Sequence, residues 1–148
     1  MRDVFLFLHL AGAIIWVGGM FFAYFCLRPA VGTLLEPPQR LPLWAATFKS
    51  FFRYTAVSVV LIILSGFGMM GAIKMGSTPH GWLLMMVLGL VMAVIFVYVY
   101  WALYPKLVRN SEAGAWPVAG AVLGVIRRLV AVNLFLALLV VAAAVSAR

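Results

Sequence analysis

Leu8-His9-Leu10-Ala11-Gly12-Ala13-Ile14-Ile15-Trp16-Val17-Gly18-Gly19-Met20-Phe21 is an apolar run that carries one ionisable side chain. It extends at both ends, from Val4 to Leu27. That is too long, and too rich in glycine and tryptophan, for a cleaved leader, whose apolar region is about 7–15 residues. It reads as an uncleaved membrane anchor. Three further stretches share its character: Tyr54–Ile73, Trp82–Tyr104 and Leu129–Ala147. Each approaches or exceeds the ~20 residues that cross a hydrocarbon core of about 30 Å. With 67% hydrophobic and 9% charged residues, the chain is far from a soluble domain, whose charged fraction is about 25%. The expected fold is an all-α integral membrane four-helix bundle, a single transmembrane domain over residues 1–148. Its spans fall at 4–27, 54–73, 82–104 and 129–147.

The net charge of +8 would suggest a nucleic-acid partner in a soluble protein. Its distribution points instead to the lipid bilayer. Arg28, Arg40, Lys49, Arg53, Lys106, Arg109, Arg127 and Arg128 lie in the two long connections, while Arg2, Lys74 and Arg148 lie on the other side. The positive-inside rule then makes those connections cytoplasmic and both termini outside, as in a multi-pass protein of a bacterial-type inner membrane. Attraction to anionic headgroups accounts for the charge, and no nucleic acid is expected. Cys26 is the sole cysteine, which excludes an intrachain disulfide and a thiolate metal site. Asp3, Glu36 and Glu112 are the only acids, too few and too scattered for hydrolytic acid–base chemistry.

Laid on each other about 75 residues apart, the halves share a pattern: Pro42 falls on Pro117, Arg53 on Arg128, and Ala56-Val57-Ser58 on Ala131-Val132-Asn133. One residue of slip puts Leu27-Arg28-Pro29 on Leu103-Tyr104-Pro105 and Tyr24 on Tyr100. The bundle therefore reads as two repeated helical hairpins, packed about an axis normal to the membrane. Leu43, Trp44, Phe48, Phe51 and Phe52 alternate with Lys49 and Arg53, so an interfacial helical segment is expected over 42–53, and its counterpart over 117–128. Asn133 is expected to bridge helices by a hydrogen bond. Tyr98, Tyr100, Trp101 and Tyr104 read as an inner aromatic belt.

An imidazole in hydrocarbon is costly, so His9 is a functional-site candidate. It lies roughly 7–8 Å below the outer surface at 1.5 Å per residue. His9 shares a helical stripe with Gly12, Trp16, Gly19 and Ala23, and small residues mark the face where helices approach closely. Span two brings Met69 and Met70 to the same end, with Met75 beyond, and span three begins there with His80, Met85 and Met86. Both histidines and five of the eight methionines thus converge. Imidazole and thioether suit Cu(I), and a His/Met pair also holds haem iron. The pattern allows three readings: a soft copper site of His9, Met69 and Met85 with His80 and Met75 at its entry; haem b held by His9 and Met85 or Met86, flanked by Gly12 and Trp16, with Lys74 or Arg2 meeting propionates; or no cofactor, the bundle serving as a partner subunit. Taken singly, a methionine is more often packing, and His80 after Pro79 is more often plain loop.

The run from His9 to Phe21, followed by Leu27-Arg28-Pro29, resembles the opening of CopD-family membrane proteins, which are associated with copper resistance or uptake. The resemblance continues through Pro37-Pro38-Gln39-Arg40, Gly89-Leu90-Val91-Met92-Ala93-Val94-Ile95-Phe96 and Ile126-Arg127-Arg128-Leu129-Val130-Ala131-Val132-Asn133-Leu134. It implies a redox metal centre near the outer face, and electron transfer or copper handling with a partner on that side. This chain has the compact four-span form, without the further spans of the larger copper proteins. A more distant resemblance is to HemJ-type protoporphyrinogen IX oxidases, small haem b proteins that share His9, Trp16, Gly19 and Phe21. That family has a lysine early in its third span, where this chain has Met86. The resemblance implies a haem-dependent oxidoreductase as an alternative. Span faces rich in Val, Leu and Phe are equally suited to lipid and to a homo-oligomer.

Overall fold

The computed structural model describes residues 1–71 and 80–146. Among them, four helices are long and apolar enough to cross a membrane: α1 (Arg2–Leu34), α2 (Pro37–Gly71), α3 (His80–Glu112) and α4 (Trp116–Ser146). This is the four-helix membrane bundle that the composition demands. At 31 to 35 residues, each helix is about 46–53 Å long and outruns the hydrocarbon core.

The excess length lies at the basic end. The two stretches marked by charge as connections are helical nearly throughout, and only short turns interrupt them, at residues 35–36 and 113–115. The segments 42–53 and 117–128 are helical and continuous with the helices that follow. The first and third helices also continue past residues 27 and 104, where the sequence places the ends of spans one and three, and run on through Pro29 and Pro105. A proline in a helix lacks an N–H and clashes with the carbonyl four residues back. Both helices absorb it by widening to a π-turn just before the proline, at Phe22–Leu27 and Val99–Leu103. Arg28 N–H donates to Ala23 and Tyr104 N–H to Val99, each five residues back instead of four. These two π-turns occupy matching places in the two halves of the sequence.

The turn between α3 and α4 closes by a Schellman motif: Gly114 N–H donates to Ser111 O (3.2 Å) and Ala115 N–H to Asn110 O (2.9 Å). Gly114 has φ +69°, the left-handed conformation that only glycine adopts at no cost.

Close packing pairs α1 with α2 and α3 with α4. The α1–α2 seam is tight because glycines line it. A Cβ on Gly12 would stand 2.9 Å from Ile62 Cγ1 and 3.0 Å from the Ser58 carbonyl, and one on Gly19 would strike the Phe51 ring. The hairpins meet at mid-depth and at the basic end, where α3 reaches α2 through the segment Tyr104–Glu112. There Phe48 stacks on Phe52 (4.9 Å between centroids), and Phe52 meets Phe96, Tyr100 and Tyr104 edge-on at 5.9, 6.1 and 5.4 Å. Tyr100 and Tyr104 therefore turn into the bundle, and the Tyr104 hydroxyl donates to Ala45 O (3.3 Å). Only Tyr98 and Trp101 of the expected aromatic belt face outward. The outer faces carry Phe7, Ile14, Leu64, Val94 and Phe135 in the open, an apolar surface that needs lipid around it.

Candidate functional site

At the other end the hairpins stand apart. A cavity of about 320 Å³ lies between the start of α1, the end of α2, the start of α3 and the end of α4. From α1 come Arg2, Leu6, His9, Leu10 and, at its floor, Trp16; from α2, Ile62, Gly66, Met69 and Met70. The third helix adds Trp82, Met85, Met86, Gly89 and Ala93, and the fourth adds Val140 and Ala144. The lining is apolar, with an imidazole, four thioethers and the Arg2 guanidinium set into it. No carboxylate occurs among the described lining residues.

His9 is the best-held polar group here. Its Nδ1 lies 3.0 Å from Ile62 O and 3.1 Å from Ser65 Oγ. A carbonyl oxygen can only accept, so Nδ1 carries the proton and Nε2 keeps its lone pair. The Ser65 hydroxyl donates in turn to the carbonyls of Leu61 and Ile62 (3.2 Å for Ile62), which leaves its oxygen free to accept from His9. The ring rests on Gly66, where a Cβ would lie 3.4 Å from His9 Cε1. Fixing one ring nitrogen on a backbone carbonyl, with the other left basic, is how proteins prepare a histidine to bind a metal.

Below the cavity, Trp16 meets Phe96 edge-on at 6.1 Å and closes it off from the aromatic cluster. Trp16 also walls a void of about 20 Å³ beside Asn133, room for a single water. Asn133 Nδ2 donates to Met92 O (3.2 Å), the helix bridge expected of it, while its Oδ1 has no partner among the described residues.

The structure brings together His9, Trp16, Met69, Met85 and Met86, with Arg2 at the mouth. It does not bring Gly12 to them. Gly12 is buried in the α1–α2 seam against Ile62 and Ser58, so its small size serves helix approach and not the flank of a ligand. His80 is exposed at the first residue of α3 and is not part of the cavity wall. Lys74 and Met75 lie outside the described residues. The sequence reading missed the Ile62 carbonyl and the Ser65 hydroxyl as partners of His9, although Ser65 sits on the polar stripe of α2 with Thr55 and Ser58. It also missed the share of α4, whose signal is the run Ala142-Ala143-Ala144 that keeps the end of that helix slim. Among the described residues, His, Cys, Asp and Glu form no cluster of three or more that could hold a metal, so any metal here would depend on His9 with thioethers.

The family model described as CopD, Copper resistance protein D, matches residues 45–147, more than half of the chain. The match takes in the four cavity methionines; His9 stands before it. No curated protein and no solved structure matches the chain.

Proposed function

We propose, from the premise that this chain belongs to the CopD family, that the cavity is a soft-metal site for copper handling with His9 as principal ligand. The observation that carries the reading is the state of His9: Nδ1–H tied to Ile62 O, Nε2 basic, in an apolar cavity that offers four thioethers and no carboxylate. Imidazole and thioether select Cu(I) over harder ions. Met85 or Met86 would be the partner on the facing hairpin and Met69 a third donor. Exposed His80 would serve as an entry point for metal from a carrier on the outer side of a bacterial-type inner membrane. A bound copper supplies one-electron chemistry or is passed on as cargo; the chain's part is to desolvate it and hold it beyond the reach of water.

A second reading has its own observation. The cavity is far roomier than one ion needs, and Gly66, Gly89, Ala93 and Ala144 leave its walls flat. That shape suits haem b held by His9 and Met85 or Met86, with Arg2 near enough to pair with a propionate. Thioether ligation raises the potential, and the protein would be an electron-transfer protein or a haem-dependent oxidoreductase. A HemJ-like porphyrinogen oxidase is its catalytic form, and porphyrinogen turnover by purified protein is the test of that form. The cofactor-free partner subunit is favoured by an interior filled with Trp16, Phe96 and the methionines; a cavity of about 320 Å³ among them speaks against it.

The experiment is an absorption spectrum of detergent-purified protein before and after dithionite, with metal analysis of the same sample. Stoichiometric copper without a Soret band, lost in His9→Ala, supports the copper site. A Soret band that shifts on reduction and is lost or altered in His9→Ala moves the site to haem. Neither cofactor, after expression with each supplied, sinks both.

A further inference from the structure

The void of about 20 Å³ below Trp16 is walled by side chains from all four helices. Nearly all of them are hydrocarbon, with the Met20 thioether, a weak acceptor, among them. Only two side chains in that wall carry a nitrogen or an oxygen: Asn133 from α4 and Trp16 from α1. Asn133 is 4% exposed and stands about 20 Å along α4 from Ser146, deep in the membrane-spanning part of the helix. Chemistry fixes which way its amide points. Nδ2 donates to Met92 O, and turning the amide over would set Oδ1, an acceptor, against that carbonyl. Oδ1 is therefore the amide atom left without a partner among the described residues.

An unpaired amide oxygen at that depth is costly, and buried polar groups of native proteins find a partner in protein or in ordered water. The void has room for one water and nothing larger. Purely apolar voids stay dry, whereas a buried water needs two to four polar neighbours. Here it has an acceptor in Asn133 Oδ1 and a donor in the indole N–H of Trp16, so one molecule can donate to the first and accept from the second. The two residues belong to different hairpins. Thr55 gives the contrast: its Oγ1 is also buried without a partner, but Thr55 is not in the wall of the void, and a threonine hydroxyl can turn to the carbonyls of its own helix.

We propose that the void is an internal water site, in which one water donates to Asn133 Oδ1, accepts from the Trp16 indole N–H, and so pins Trp16 in place as the floor of the cavity. Asn133 is then a positioning residue, held to α3 through Met92 O and acting on the cavity through the water and Trp16. The bridge ties α1 to the second hairpin at mid-depth, and it does not depend on what the cavity holds.

The test uses the full chain in two measurements. A crystal structure grown in a lipid mesophase, at a resolution that shows ordered waters, should place a water about 2.5–3.0 Å from Asn133 Oδ1. Ultraviolet resonance Raman spectroscopy then reads the indole band that responds to hydrogen bonding at the N–H, and subtracting the spectrum of the matching Trp16→Phe protein isolates Trp16 from the other tryptophans. In the wild type that band should lie at its hydrogen-bonded position. Asn133→Leu removes the amide and fills the void, and the band should move to the position of a free N–H; Thr55→Val should leave it unmoved. An empty void, a free N–H in the wild type, an unmoved band in Asn133→Leu, or an equal movement in Thr55→Val would each overturn the bridge. If Asn133→Leu does not fold, the wild-type density and the wild-type band decide by themselves. None of these readouts needs copper or haem, so a failed cofactor assay leaves the water site standing, and a dry void leaves the cavity reading standing.

Discussion

At the basic end, Trp44, Phe48, Phe52, Tyr100 and Tyr104 fill the space between the two hairpins, whereas at the His9 end the same hairpins stand apart around a cavity. The ring contacts of the first region run without a break from Trp44 to Phe96. The second region replaces aromatic contact with thioethers, glycine and one tethered imidazole. Helix association in lipid rests on packing and not on apolar burial as such, so the region with interlocked rings supplies the cohesion. The other end is then free to keep an unfilled space, which an evenly packed bundle would not tolerate.

The largest expected effects come from attacking each end separately. Phe52→Ala removes the hub ring, which is 2% exposed, and should destabilise the bundle by about 3–4 kcal/mol while leaving cofactor stoichiometry intact in the protein that remains folded. His9→Ala should do the reverse, abolishing cofactor binding while costing only about 1 kcal/mol for the lost hydrogen bond. Thermal unfolding and metal or haem analysis on both variants check the pair. A loss of both properties in either variant would break the division between the ends.

Within the α1–α2 hairpin the contrast sharpens between neighbouring glycines. Gly12→Leu drives a side chain into Ile62 and the Ser58 carbonyl and should cost about 2 kcal/mol. A Cβ on Gly18, an exposed position, meets nothing within 4 Å, so Gly18→Leu should be close to neutral. Equal losses would mean that the seam is looser than its contacts imply.

How far this division was legible in the sequence follows from the same residues. The four spans, the inward stripe of His9, Trp16 and Gly19, and the convergence of the methionines come from periods and hydropathy, which are properties of single helices. The role of Gly12 was not legible, because a small residue on an inward stripe serves a seam or a slot equally well, and only the approach of Ile62 decides. The inward turn of Tyr100 and Tyr104 depends on the π-turn before Pro105, which shifts the register of every residue after it. The tether of His9 is a backbone carbonyl, which no side-chain pattern can announce. Even the helical run through Pro29 and Pro105 is visible only once Arg28 and Tyr104 are seen to reach five residues back.

That tether gives a finer test of the cavity end. Ser65→Ala removes one of the two acceptors of His9 Nδ1–H and leaves Ile62 O in place. Loss of an outer partner of a metal-binding histidine weakens metal affinity by about 10–100-fold, and with the carbonyl retained the lower figure applies, about tenfold. Competition with a Cu(I) chelator measures it, or titration of apoprotein with haem where haem is the ligand. Unchanged affinity would show that the carbonyl alone orients the ring.

The smallest effect expected lies in the turn at the basic end. Gly114→Ala places a Cβ on a residue at φ +69° with open space around it, Trp116 being the nearest side chain at 3.8 Å. The cost is therefore backbone strain alone, about 1 kcal/mol, or about 2–4 °C in the unfolding midpoint. Because the Schellman bonds from Gly114 and Ala115 fix how α3 delivers Tyr104 and Leu107 to the aromatic cluster, that loss should appear as stability and not as cofactor affinity. A Gly114→Ala protein with normal stability and weakened cofactor binding would mean that the two ends are mechanically coupled through α3, and the separation argued from Phe52 and His9 would fail with it.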